Sequence, residues 1–244
     1  MDIFLLPPCV KLNARRLLVW LRLQKIPTAH KYIRPVLAQD NVTEGTMEFD
    51  ETKTYLNLAR SFAGESQAGM RYQLIAREAT AQGYIALADE IKTLAKNETV
   101  HARRFFEELT KRGKELDNIE IDAGYPYHTG ELTEMLKLAA IDEKNEHERI
   151  YPAFAKDAAC EGFNDVAALF NMIANVEKHH EQIFNYLYEA MESGNLYKNE
   201  VPILYVCKEC GHMQTTTEAW TVCPLCKSSQ GFVSLNVPYG KEKS

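Results

Sequence analysis

Twice in this chain a glutamate is followed three residues later by a histidine and four residues after that by a phenylalanine: Glu98-x-x-His101-x-x-x-Phe105 and Glu177-x-x-His180-x-x-x-Phe184. Leu94 and Ala102 flank the first copy and Ile173 the second at helical spacing, so each pair lies on the apolar face of a helix. A carboxylate is expensive to bury there unless it is paired or bound to a metal. Adjacent helical residues point about 100° apart. In "VEKHHEQ" only His180 therefore shares the face of Glu177, and His179 falls on a flank. Glu209-x-x-His212 has the same spacing but sits between cysteines, and it reads as accidental.

Hydrophobic periodicity predicts four long helices over about 51–79, 84–112, 131–159 and 164–192. The first carries Tyr55, Leu58, Phe62, Ala63, Met70 and Leu74 along one side. Gly113 stands where the second should stop, and Thr129 is placed to cap the third. The polar connection "KELDNIEIDAGYPYHTG" is long enough to cross the length of a bundle. Four helices with one long crossover predict an all-α, ferritin-like four-helix bundle.

In such a bundle the remaining two helices should each offer an inward glutamate. Glu65 in "FAGESQAG" lies among small residues that let a neighbouring helix approach, and Glu143 lies in "DEKNEHER". Glu65 precedes Glu98 by 33 residues and Glu143 precedes Glu177 by 34. Each half is thus a hairpin giving one Glu and then a Glu-x-x-His. Four carboxylates and two imidazoles around room for two cations suit iron or manganese. Glu146, one turn from Glu143, is a seventh candidate, preferred over His147 on the other flank. Tyr72 and Tyr151 are placed to hydrogen-bond the ligand carboxylates.

Of six cysteines, four form Cys207-x2-Cys210 and Cys223-x2-Cys226, a spacing that holds one metal by four thiolates. Zinc and iron fit this spacing equally. Cys9 and Cys160 are left over, a pattern of metal-ligand use in a reducing compartment rather than a disulfide framework. The β-prone pieces "ILYVC" and "GFVSLNV" surround these pairs, with Tyr205, Trp220 and Phe232 to cover the centre. The reading divides the chain into a bundle at 47–194, a linker at 195–202 and a small metal-bound β-rich module at 203–244.

The chain carries a net charge of −6, which argues against general nucleic-acid binding, and it has no apolar run of membrane-spanning length. Residues 1–46 differ from the rest: they hold seven Lys or Arg against three acids, a net +4. They read as a basic extension of uncertain role, with an organelle presequence or a docking arm as alternatives.

Taken together, "FAGESQAGMRY", the two Glu-x-x-His pairs, "DEKNEHERIYPAFA" and the four cysteines in order resemble the rubrerythrin family. The resemblance runs from Met47 onward, about four-fifths of the chain. It implies a di-iron bundle followed by a rubredoxin-like Fe(Cys)4 domain, in a cytoplasmic protein. It also implies Glu98 and Glu177 as bridging ligands, Glu65 and Glu143 as terminal ligands, and His180 as a permanent ligand. Glu146 and His101 would exchange on the other iron. The implied activity is reduction of hydrogen peroxide to water. Electrons would come through the cysteine centre from an external NAD(P)H-dependent reductase or rubredoxin-type donor. The span from His180 to the end of its helix, roughly 20 Å, predicts a head-to-tail homodimer or higher oligomer. His212 departs from the family, where Tyr is common after Cys-Gly. The alternative is an iron-handling ferroxidase carrying a structural zinc ribbon.

Overall fold

The computed structural model describes residues 48–113 and 118–238. The expected N-terminal extension at 1–46 lies outside the described residues. Four rods form the bundle. They are α1 (Lys53–Ala81), α2 (Ile85–Arg112), a third rod running from Leu132 to Cys160, and α5 (Asn164–Glu192). The third rod is interrupted: α3 (Leu132–Asn145) passes through a π-helical turn, Glu146–Ile150, into α4 (Tyr151–Cys160).

Local chemistry sets the helix ends. Thr52 caps α1 by accepting a hydrogen bond from the Tyr55 amide. Thr129 does not cap the third rod. The cap position is Glu131, without a side-chain bond, and Gly130 turns the chain between them. The turns α1–α2 and α4–α5 match. Gly83 and Gly162 both take left-handed φ, near 86° and 89°. The amides of Tyr84 and Phe163 reach back to the carbonyls of Ala79 and Ala158, both at 2.8 Å.

The two halves correspond residue by residue. Glu177, His180 and Phe184 follow Glu98, His101 and Phe105 by 79 positions, and Tyr151 follows Tyr72 by 79. Glu143 follows Glu65 by only 78. The single inserted residue lies between Glu143 and Tyr151, where the π turn accommodates it.

Along the bundle axis the apolar core is split. One cluster joins Tyr72, Ile91, Leu94, Leu136, Phe184 and Leu187; the other joins Leu58, Phe105, Tyr151, Phe170 and Ile173. A polar layer separates them. This corrects the apolar side expected for α1. Phe62, Met70 and Leu74 face outward, 38%, 55% and 54% exposed. The buried face runs through Thr54, Asn57, Leu58, Ser61, Glu65, Ala68 and Tyr72. That helix turns its more polar side inward because the layer it serves is polar.

The crossover lies against α1 and α3. Gln67 donates to the Pro126 carbonyl at 2.7 Å, Tyr125 Oη to the Arg60 carbonyl at 2.9 Å, and Arg60 Nε to the Asp122 carbonyl at 3.1 Å. Beyond α5 the expected linker is already structured. Leu196 is buried against the bundle core, and β1 (Lys198–Val206) begins within the segment. Strand β1 pairs antiparallel with β2 (Met213–Glu218), with an irregularity between Lys198 and Ile203 that brackets Pro202, a residue without an amide donor. "GFVSLNV" forms no strand. It contributes one bridge, Cys207 to Val233, then sends Leu235 and Val237 onto the bundle core. No helix among the described residues is long and apolar enough to cross a membrane.

Candidate metal centre

The polar layer is built from all four rods. Glu65 comes from α1, Glu98 and His101 from α2, Glu143 from α3, and Glu177 and His180 from α5. The four carboxylates are at most 1% exposed, His180 2% and His101 8%. Close approach of α1 and α2 needs Gly69: a Cβ there would meet the Ala95 carbonyl at 3.2 Å and Glu98 Cβ at 3.5 Å.

The ligating atoms fall into two overlapping groups, each within 4.8 Å: Glu65, Glu98, His101 and Glu177, and Glu98, Glu143, Glu177 and His180. Glu98 and Glu177 belong to both, and each turns one oxygen to each half. Glu98 Oε1 stands 2.8 Å from His180 Nδ1, and its Oε2 stands 3.3 Å from His101 Nδ1. Glu177 Oε2 stands 2.7 Å from His180 Nδ1, and its Oε1 stands 2.9 Å from His101 Nδ1. Yet Glu65 Oε2, Glu98 Oε1, Glu143 Oε2, both oxygens of Glu177 and Nδ1 of His180 make no hydrogen bond among the described residues. Buried polar atoms are rarely left unmatched. These atoms lie close together in the two overlapping groups, acceptors facing acceptors with no donor between them. The donor set and its orphaned atoms fit a pair of hard or borderline cations.

Two tyrosines hold the terminal carboxylates reciprocally. Tyr72 on α1 donates to Glu143, and Tyr151 on α4 donates to Glu65. Asn97, which no spacing in the chain singles out, places its amide 3.3 Å from His180 Nε2, on the edge of the ring away from the acids. An asparagine beside a helix ligand reads as surface, and its partner is 83 residues distant.

Glu146 belongs to neither group. It opens the π turn, partly exposed, on the wall of a cavity of about 630 Å³ that also touches Tyr151. His147 lies outside the layer, paired at 2.6 Å with Glu181 on α5.

Without cations the layer must share protons. Burial pushes the Glu65 carboxyl well up, reinforced by Glu177 and Glu98, and it raises Glu143 to about 8, with Glu98 adding to the shift. Burial also acts to raise Glu98, but the charge on His180 and contacts with Glu65 and His101 hold it below the usual carboxylate range. Burial disfavours charge on both imidazoles. Contacts with Glu177, Glu65 and Glu98 nevertheless push His101 up to about 12, and the charge of Glu98 leads those that push His180 well up. Glu146 is raised by desolvation and then by Glu143, Glu177 and Glu98.

The four cysteines form a second centre. Cys207 and Cys226 Sγ lie 3.7 Å apart, as do Cys210 and Cys223 Sγ. A disulfide would bring them to about 2.05 Å. A tetrahedron with metal–sulfur bonds of about 2.3 Å has edges of about 3.8 Å, so the spacing is that of thiolates around one metal. Tyr205, Ala219 and Val233 make the small core behind it, with Trp220 packed alongside. The module is seated on the bundle, with Gly231 against the α1–α2 turn.

Comparison with known proteins places this architecture. The rubrerythrin family profile matches residues 56–131 and 134–212. The chain is 38% identical over 185 residues to rubrerythrin-1 of Clostridium acetobutylicum, covering 75% of this chain and 94% of that one. It is 37% identical over 191 residues to rubrerythrin of Porphyromonas gingivalis, covering 78% and 93%. Among solved structures, all-ferrous nigerythrin aligns with a TM-score of 0.51 at 21% identity, over 83% of this chain and 100% of that one. A Desulfovibrio desulfuricans bacterioferritin, described with a diiron site, aligns with a TM-score of 0.52 at 22% identity, over 59% and 82%. These structural likenesses speak to the fold.

Proposed function

Because this chain belongs to the rubrerythrin family, a family of metal-binding oxidoreductases, we propose that it is a non-haem di-iron peroxidase that reduces hydrogen peroxide to water. The observation that carries this reading is the sharing of Glu98 and Glu177, each offering one oxygen to His101's side and one to His180's. When bound, two ferrous ions supply the two electrons that cleave the O–O bond, and two protons complete the water molecules. In this reading Glu98 and Glu177, which belong to both groups, would serve both cations, Glu65 and Glu143 would each hold one, and His180 would hold one of them in every state. His101 and Glu146 would be the two side chains available to the other cation. Glu146 suits that part because it stands on the cavity wall at the start of the π turn, where its carbonyl accepts from the Tyr151 amide five residues on. Tyr72 and Tyr151 fix the end carboxylates by hydrogen bonds, and the dry clusters on either side keep bulk water from the layer.

Re-reduction would run through the four-cysteine centre as an Fe(Cys)4 site, one electron at a time, from an external NAD(P)H-dependent reductase or rubredoxin-type donor. The module rests at Gly83, and Glu98 lies fifteen residues further along the bundle, roughly 20 Å at 1.5 Å per residue. That span is long for electron tunnelling within one chain. It supports a head-to-tail dimer in which one chain's cysteine centre serves its partner's bundle. Four thiolate ligands suit a reducing, cytoplasm-like compartment.

Metal analysis with visible spectroscopy on anaerobically loaded protein, followed by peroxide turnover, tests the reading. We expect about three irons per chain and a red Fe(Cys)4 chromophore. Turnover should be lost in Glu98→Ala. Mixing Glu98→Ala with Cys223→Ser subunits should restore electron flow. Zinc in the cysteine site together with mineral-filled shells would instead establish the ferroxidase alternative.

A further inference from the structure

The cavity beside Glu146 is far larger than the oxidant proposed for it. Its volume is about 630 Å³. A water molecule's share of liquid volume is roughly 30 Å³, so hydrogen peroxide needs on the order of a tenth of the space. Cavities of roughly 300–1,000 Å³ are the size that seats small organic ligands.

Its walls have a definite chemistry. The crossover supplies Tyr125 and Pro126, and the third rod supplies Ile150 and Phe154, an apolar lining shared with Tyr151 and Glu146. Two guanidinium groups share the wall. The exposed Arg149 side chain makes no hydrogen bond or ion pair among the described residues. Among the described residues the Arg60 guanidinium is bonded to neutral acceptors, the Asp122 carbonyl at 3.1 Å and Asn57 Oδ1 at 3.0 Å. The facing carboxylate of Asp142 is engaged elsewhere, by Arg71 at 2.6 Å and His128 at 3.2 Å. An apolar pocket with unneutralised cations at its wall selects an apolar body with an anionic head.

We propose that this cavity seats the organic part of a hydroperoxide, R–OOH, in which R is an alkyl chain bearing a carboxylate. The carboxylate meets Arg149 and Arg60, and the peroxide group is directed toward Glu146. The reaction is ROOH + 2e⁻ + 2H⁺ → ROH + H₂O. The O–O bond breaks, the C–O bond is kept, and the two oxygens each take a proton. The electrons are those of the peroxide reduction proposed above, on which this inference rests.

Decanoate, a redox-inert carboxylate of fitting size, is the probe. Isothermal calorimetry on the full-length, metal-loaded chain should show decanoate binding and no comparable binding of decylamine. Arg149→Gln should weaken decanoate by about tenfold, the loss of one charge-assisted contact. Ala123→Trp, on an exposed stretch of the crossover, should block binding by filling the mouth. In steady-state assays Arg149→Gln should lower kcat/KM for a carboxylate-bearing alkyl hydroperoxide about tenfold relative to kcat/KM for hydrogen peroxide. Absent decanoate binding, equal binding of decylamine, or indifference to both substitutions overturns the proposal. Hydrogen peroxide turnover in that case leaves the parent reading standing. Decanoate binding without turnover of either peroxide overturns the reaction, and the fault then lies with the parent reading.

Discussion

The side-chain amide of Asn97 lies 3.3 Å from Nε2 of His180, while Nδ1 of the same ring lies 2.7 Å from Glu177 and 2.8 Å from Glu98. The ring therefore has a metal-facing edge and an anchored edge. If Nδ1 gives its lone pair to a cation, Nε2 carries the proton, and the Asn97 amide must present its oxygen to accept it. Asn97→Ala removes that anchor and leaves the ring free to turn. Metal affinity should fall by about 10- to 100-fold, read by competition with a chelator. Asn97→Asp, which keeps an acceptor, should retain most of the affinity.

The proton sharing within the metal-free layer gives a pH dependence of known sign. Glu143 rises from 4.5 to about 8 on folding, and His101 from 6.5 to about 12. In each window the folded chain keeps a proton that the unfolded chain has released, so stability falls as pH rises. Glu98 works in the opposite sense, but only below its ordinary value of 4.5. The metal-free protein should therefore lose stability from about pH 5 upward, by on the order of 1 kcal/mol per pH unit for each proton retained. Cations displace these protons, so metal uptake strengthens over the same range. Calorimetric Tm values of metal-loaded and metal-free protein should diverge between pH 5.5 and 8.5. A constant gap would show that the layer shares no protons.

Much of this site could be read from the chain because helical spacing is short-range. The Glu-x-x-His pairs are one turn apart, and Glu65, Glu143, Tyr72 and Tyr151 follow by asking what the other helices contribute. What escaped was set by distant partners. Asn97 gains meaning only from His180 across the bundle. Phe62, Met70 and Leu74 form a plausible core stripe by periodicity, but the opposite face of α1 had to meet the buried acids. The tail piece "GFVSLNV" has strand-like composition, yet its apolar residues serve to attach one domain to the other.

Gly231 adds a close backbone contact to that attachment. A Cβ built there would lie 1.7 Å from the Gly83 carbonyl oxygen, backbone against backbone, with no flexible side chain to yield. Lys208 adds only loose pairs to Asp89 and Glu90, at 3.7 and 3.8 Å. Gly231→Ala should release the module from the α1–α2 turn while leaving its four thiolates intact. The visible spectrum of the cysteine centre should persist, and amide exchange around residues 83–85 should quicken. An unchanged exchange pattern would mean that the contact does not hold the module.

The one-residue difference between the halves yields a sharper test. Glu65 and Tyr72 are seven residues apart on α1, while Glu143 and Tyr151 are eight apart across the π turn. Both tyrosines nevertheless reach the opposite glutamate. The π turn thus absorbs the insertion without moving the hydrogen bonds, and it carries Glu146 at its start. The matching position on α1 is Ala68, which is 2% exposed. Deleting the exposed Glu148 should return the third rod to regular helix and force Glu146 into the packed setting of Ala68. An unpaired carboxylate there should cost about 3 kcal/mol or more, with helical content retained and Tm lowered. Combining the deletion with Glu146→Ala should recover most of that stability, since alanine is what the other half places there. If the combined variant is no more stable than the deletion alone, the two halves are not related by one inserted residue, and the π turn needs another cause.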